Sequence, residues 1–255
     1  MKIEEIFKIP PECKVGSYIP KKQIFELADL KSRDKAIFTD NIKKIYWCYS
    51  LKEENIRISS FKDKERSYEE VEIIKVILKK DLEIGKIERI ADIILRTFPY
   101  PMVLIFEIEN EILLAISHIK EHKSDFSKIT LEGLILTKWI DLSDLDEIDK
   151  KLFDSLNVKN LSYSHFYKFY SDIVDNINIY NGSKLVGRDL SVSSKLTPDE
   201  IKAFQEDIDK MNKEIELKRN QIKKETQFNK QVEINIEIKK IEEEIGYLEE
   251  ILLES

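Results

Sequence analysis

The chain has 255 residues, long for a single domain and suited to one globular body with an appended element. Apolar residues make up 42% and charged residues 36%, with glycine and proline at only six each, which excludes a disordered or turn-dominated chain. A net charge of −7 argues against a grip on nucleic acid by the protein as a whole, while leaving room for a local basic patch.

Two cysteines, Cys13 and Cys48, provide neither a disulfide framework nor paired metal-ligand spacing, so a reduced setting is expected. Charges within residues 1–8 fall where a signal peptide needs an apolar core, and no apolar run reaches membrane-spanning length. The expected location is the cytoplasm, with no membrane contact.

Residues 9–24, with Pro10-Pro11, Gly16 and Pro20, read as an extended lead-in. Residues 21–28 follow as a short helix with Ile24, Leu27 and Ala28 facing inward and Lys21 and Lys22 at its start. Ile45 to Tyr49 reads as a strand, residues 52–55 as a turn, Ile56 to Ser59 as a returning strand and 61–68 as a charged loop. The β-branched run Val71 to Leu78 has the composition of a central strand. Ile87, Ile90, Ala91 and Ile94 share one helical face within residues 82–96, and Pro99 ends that helix.

Two apolar runs, 101–108 and 112–117, flank Glu109-Asn110-Glu111 and predict a hairpin. Leu134 to Ile140 reads as a further strand, and Ser143 as the cap of a helix reaching about Leu156. Tyr163, Phe166, Tyr167, Phe169 and Tyr170 cluster on a helix expected to end before Asn181-Gly182. These rings can stack nucleobases, but without interleaved arginine they are read as packing residues. Trp47 and Trp139 are read as core. Residues 186–196, with Gly187 and three serines, look like a linker.

The C-terminal stretch opens with Thr197-Pro198-Asp199-Glu200, a capping box with proline at the first helical position. Ile201, Phe204, Ile208, Met211, Ile215 and Ile222 form one apolar stripe, interrupted where Lys218 takes the place of an apolar residue. Ile234, Ile238, Ile241, Ile245, Leu248 and Leu252 form a second, spaced 4, 3, 4, 3 and 4. Both are heptad patterns of coiled-coil type. The register slips between Ile222 and Phe228, which is compatible with one long shifted helix and favours two helices folded back as an antiparallel hairpin. The fold class is therefore α+β, with a mixed, mainly antiparallel sheet and flanking helices over 1–185, a linker at 186–196 and a coiled-coil hairpin over 197–255.

Chemistry is sparse. His118 and His122 are four apart but at a strand end, and His165 stands alone, so no metal and no cofactor is expected. A nuclease of the two-acid-plus-lysine type needs its carboxylates and lysine together on adjacent central strands. The acidic candidates are Asp40, Glu72 and Glu107, and Lys75 stands three residues after Glu72, which puts the two on opposite strand faces. Glu72 and Lys75, with the basic pair Lys21 and Lys22, remain the candidates for a nuclease-like or nucleic-acid role. Gly85, Gly133, Gly182 and Gly187 are isolated and make no phosphate loop.

In order along the chain, Ile9-Pro10, Ile19-Pro20-Lys21-Lys22, Ile45-Tyr46-Trp47 with Tyr49 and Leu51, Glu72-Ile73, Phe98-Pro99-Tyr100-Pro101 and Trp139 resemble a prokaryotic family of domains of unknown function. The closest match is Lys224-Glu225-Thr226-Gln227-Phe228-Asn229 with Val232 and Asn235. Tyr100 departs from the histidine or small residue that the family often has there. The resemblance covers nearly the whole chain and carries over no catalytic residues. It implies a gene encoded beside helicases and DNA methyltransferases in restriction-like, anti-phage clusters.

The expectation is a non-enzymatic adaptor or accessory subunit that binds such a helicase or methyltransferase. The alternative is a nucleic-acid-acting module related to a degenerate metal-dependent nuclease, working with a helicase. Gln227, Phe228, Asn229, Val232 and Asn235 either cap the hairpin tip or form the partner-docking surface. Self-association through the coiled coil and contact with DNA stand beside these as further expectations.

Overall fold

The computed structural model describes residues 6–79, 82–122, 125–191 and 195–254, leaving aside the side chains of 122–128. Two compact units divide the chain between Ile177 and Asn178. The first contains β1 (Lys14–Tyr18), α1 (Lys21–Leu27), α2 (Ser32–Asn41), β2 (Ile42–Lys52), the one-turn α3 (Glu53–Ile56), β3 (Phe61–Lys62), β4 (Ser67–Tyr68) and β5 (Glu70–Leu78). It continues through α4 (Ile84–Thr97), β6 (Met102–Ile108), β7 (Glu111–Ile116), β8 (Ile119–His122), β9 (Asp125–Leu131), β10 (Ile135–Leu136), β11 (Ile140–Asp141), α5 (Glu147–Ser155) and the first part of α6 (Phe166–Val186).

The main sheet runs β1-β2-β5-β6-β7-β10, with β11 also paired to β7. Only β5 and β6 are parallel; the remaining pairs are antiparallel. A parallel pair needs a crossover, and α4 supplies it. Ile87, Ile90, Ala91 and Ile94 of α4 are buried against Ile45, Ile74, Val76, Leu104 and Phe106 on one sheet face. The α+β class, with its mixed, mainly antiparallel sheet and flanking helices, follows the sequence reading.

Several elements differ from expectation for local reasons. The lead-in contains β1, paired to β2 through Ser17 opposite Trp47 and Tyr18 opposite Tyr46, with a register shift at Gly16 (φ 69°). Ile56 to Ser59 is no strand. Asn55 accepts from Lys52 N–H at 2.8 Å and donates to the Ser50 carbonyl at 2.9 Å, winding one helical turn that ends at left-handed Arg57. Within 61–68, β3 and β4 pair. The expected strand at 134–140 is split into β10 and β11, between which the Thr137 hydroxyl accepts the Leu114 N–H at 2.9 Å. Ser143 is not the cap of the helix that follows it. Its hydroxyl donates to Asp141 at 2.6 Å, and the N-cap of α5 is Asp146, which accepts from Asp149 N–H at 2.8 Å.

The aromatic helix extends to Val186, past Asn181-Gly182. Within the first unit Phe166, Phe169 and Tyr170 are buried. The Tyr170 hydroxyl lies 2.8 Å from the Met102 carbonyl and 2.9 Å from the Ser117 carbonyl, so its one proton is shared between acceptors at the start of β6 and just past the end of β7. Tyr170→Phe leaves that buried pair of acceptors bare and should destabilise the protein by about 1.5 kcal/mol in urea denaturation. An unchanged midpoint would show that solvent reaches the carbonyls.

The second unit comprises the end of α6, α7 (Pro198–Ile222) and α8 (Phe228–Glu254). The Thr197 hydroxyl accepts from Glu200 N–H at 3.3 Å, and the Glu200 carboxylate accepts from Thr197 N–H at 2.8 Å, the reciprocal cap that the sequence encodes. Ile201 and Ile208, early in α7, pack with Ile245, Leu248 and Leu252, late in α8, so the two helices run antiparallel. Lys218, which breaks the apolar stripe, reaches Glu237 at 2.7 Å. The turn needs no glycine or proline because the Glu225 carboxylate accepts from both Thr226 and Gln227 N–H at 2.8 Å, and Gln231 donates to the Glu225 carbonyl at 2.7 Å.

Candidate functional site

Side chains alternate along β5, so Glu72 shares its face with Ile74, Val76 and Leu78. That face carries the main core, in which Ile74, Val76 and Leu78 pack with α1, α2 and α4. Glu72, two residues before Ile74 near the start of the strand, lines a pocket of about 250 Å³. Ser17, Tyr18 and Ile19, at and just beyond the end of β1, form one side of it, and Gln23 reaches in from α1. Trp47 of β2 contributes the indole. Phe98 and Tyr100, on the segment that ends α4, contribute two further rings, and Met102 begins β6 beside them. The Glu72 N–H donates to the Pro101 carbonyl at 2.9 Å, which ties that segment to β5.

The Glu72 carboxyl is buried, at 3% exposure. Trp47 Nε1–H donates to one of its oxygens and the Ser50 hydroxyl donates to the other at 2.8 Å. Burial raises its pKa to about 7; the two donors and Lys52 pull the other way, and Glu70 adds to the rise. Lys52 itself pairs with Glu70 at 3.0 Å. Near neutral pH the pocket therefore holds a carboxyl that changes charge easily, surrounded by rings. Such a combination of concavity, apolar walls and one perturbed acid is a mark of a binding site.

The other candidate residues are placed apart from it. Lys75 is on the opposite face of β5 and pairs with Glu107 at 3.1 Å. The residue facing Glu72 across the sheet is Ser50, and the residue two further along its face is Ile74. Glu72 and Lys75 are thus not brought together. Asp40 is exposed at the end of α2. Lys21 donates to the Ile42 carbonyl at 2.6 Å, which closes the end of α2, whereas Lys22 is exposed and pairs loosely with Glu26 at 3.6 Å. His118 is 3.0 Å from the Tyr68 hydroxyl, and His165 Nδ1 accepts from Lys168 N–H at 3.1 Å at the start of α6. The His122 side chain lies outside the described residues.

On the hairpin, Gln227, Phe228, Asn229, Val232 and Asn235 are all exposed. Gln227 contributes backbone to the turn, but the turn's capping side chains are Glu225 and Gln231. The sequence reading missed Ser17, Tyr18 and Gln23 as pocket residues and Ser50 as a donor to the Glu72 carboxyl. Had the lead-in been read as a strand, its pairing with β2 would have set Ser17 opposite Trp47, whereas the irregularity between Trp47 and Tyr49 gives Ser50 the face of Trp47 against simple period-two alternation.

A family model of unknown function, DUF4391, matches residues 7–245. The chain belongs to this family. No curated protein and no solved structure matches it. The family covers both the Glu72 pocket and the hairpin turn. Four of the segments on which the resemblance rested meet in space in the first unit: Ile19, Trp47, Glu72, Phe98 and Tyr100 all line the one pocket. Among the described residues no helix is long and apolar enough to cross a membrane, and no group of three or more His, Cys, Asp or Glu is placed to hold a metal.

Proposed function

We propose that this chain is a non-enzymatic adaptor, an accessory subunit of a restriction-like anti-phage defence system in the cytoplasm, which docks a helicase or DNA methyltransferase of that system through its helical hairpin. One observation carries the reading. Phe228, Val232 and Ile236 follow one another at four-residue steps on α8 and are 75%, 39% and 51% exposed. They lie on the flank away from the stripe of Ile238, Ile245 and Leu252 that meets α7. Apolar side chains at i, i+4 and i+8 are how a helix presents anchors to a partner, and the polar Asn229 and Asn235 beside them suit a wet rim.

The test is affinity purification of the tagged full chain from its native host, with Phe228→Asp and Ile236→Asp made singly. Neither residue supports the hairpin core, so fold and helix content should stay unchanged while recovery of the partner falls at least about tenfold. Undiminished recovery from both variants would sink the reading. Loss of a self-associated species in light scattering, with no other protein affected, would replace the partner with a second copy.

A second reading, a module acting on nucleic acid and related to a degenerate metal-dependent nuclease, is favoured by the carboxyl of Glu72 on the central strand of a mixed sheet. Ser50 and Ile74, standing where a second acid and a lysine would be needed, weigh against cleavage. Absence of both DNA binding and Mg²⁺-dependent cleavage, with and without a helicase, removes it.

A further inference from the structure

Glu72 is a carboxyl looking for a counter-ion. Among the described residues no lysine or arginine lines its pocket. The charged residues closest to it in effect, Lys52 and Glu70, already hold each other at 3.0 Å. Each Glu72 oxygen accepts one hydrogen bond, from Trp47 or from Ser50, and a carboxylate oxygen has room for a second. Around it stand Tyr18, Trp47, Phe98 and Tyr100, and aromatic faces attract cations. A volume of about 250 Å³ falls short of pockets built for drug-sized ligands and suits a head group.

We propose that this pocket binds one organic cation, a guanidinium or ammonium head on a short aliphatic stem, with Glu72 as counter-ion and the surrounding aromatic rings as walls. A guanidinium fits best, because its planar fork can use the two remaining acceptor sites together. Binding ionises Glu72 and so releases its proton. The other groups facing the pocket are the hydroxyls of Ser17, Tyr18 and Tyr100 and the Gln23 amide, none of them a cation. The proposal is independent of the hairpin reading, and each can fail alone.

The chain has two tryptophans, so its ¹H–¹⁵N spectrum shows two indole signals, one of them from the Trp47 N–H that donates to Glu72. Ethylguanidinium is titrated against its neutral shape-match N-ethylurea. The expected result is a shift of the Trp47 signal by the cation alone, with Kd on the order of 1 mM. Affinity should rise roughly tenfold between about pH 6 and pH 8, as the carboxyl ionises. Glu72→Gln should abolish the shift, and Tyr100→Ala, at a rim position 40% exposed and safe for folding, should weaken it by about threefold.

The blocked tripeptide acetyl-Gly-Arg-Gly-amide separates two sources of the head group. Tighter binding than ethylguanidinium assigns the pocket to an arginine of another protein, and exclusion of the peptide assigns it to a free small amine. Equal binding of N-ethylurea, unaltered binding in Glu72→Gln, or no shift up to about 20 mM cation would overturn the proposal.

Discussion

At about pH 8, Glu72→Gln is expected to make the protein more stable than wild type by about 3 kcal/mol, and at about pH 4 to leave it nearly unchanged. The buried carboxyl of Glu72 has its pKa raised from 4.5 to about 7 by loss of solvent. Below 4.5 it carries its proton in both the folded and the unfolded chain, and folding involves no change of charge. Between 4.5 and about 7 the unfolded chain has released the proton while the folded chain keeps it, so stability falls as pH rises through that window. Above it the folded protein carries an ion that would be better solvated outside.

A glutamine of the same shape never ionises, and its amide oxygen can still accept from Trp47 or Ser50. Urea midpoints of both proteins across this pH range, in a buffer free of amines, measure the difference directly. A gap that does not widen with pH would mean that water or a counter-ion already solvates the carboxyl. The cost to stability is one that a glutamine here would avoid.

What could be read from the sequence was what depends on near neighbours. The α4 face of Ile87, Ile90, Ala91 and Ile94 and the 102–116 hairpin are encoded within about fifteen residues, as is the Thr197–Glu200 cap. Errors arose where one polar side chain redirected the backbone: Asn55 winding α3, Thr137 interrupting the edge pairing, Asp146 taking the cap that Ser143 resembled. The turn at Glu225 was located by the slip in register rather than by any turn residue, because a carboxylate does the work of a glycine there.

The pocket lay beyond local reading. Alternation along β5 does place Glu72 and Lys75 on opposite faces, and the structure agrees. Alternation along one strand bears on one nuclease pattern and leaves open what surrounds Glu72. Its surroundings come from residues 17–23, 47 and 98–102, and they meet because β1 lies beside β2 and because the α4 crossover lays β6 parallel to β5. Scattered short motifs, each weak alone, marked these stretches before the topology explained why they belong together.

Gly182 supplies the second large effect, and its sign runs against helix propensity. Replacing an interior helical glycine by alanine ordinarily stabilises by about 1 kcal/mol. At Gly182 of α6 a Cβ would stand 2.5 Å from Ile201 Cγ2, 3.0 Å from Gln205 Nε2 and 3.1 Å from Leu190 Cδ1. The glutamine amide donates to the Asn178 carbonyl at 3.0 Å, and Ile201 is a buried, β-branched anchor of the second unit's core, so neither neighbour can yield cheaply. Overpacking of this kind costs about 1–3 kcal/mol, enough to outweigh the propensity gain.

Gly182→Ala should therefore destabilise the second unit by about 1 kcal/mol net. Gly246 of α8 is the matched control. A methyl group added there would meet nothing within 4 Å, so Gly246→Ala should stabilise by about 1 kcal/mol. Amide exchange across α7 and α8 reads both variants on the same helices. Opposite signs would confirm that the end of α6, within the second unit, packs against α7 too closely to admit one more carbon atom. A gain at both sites would mean that the end of α6 is free to move away from α7 within the second unit.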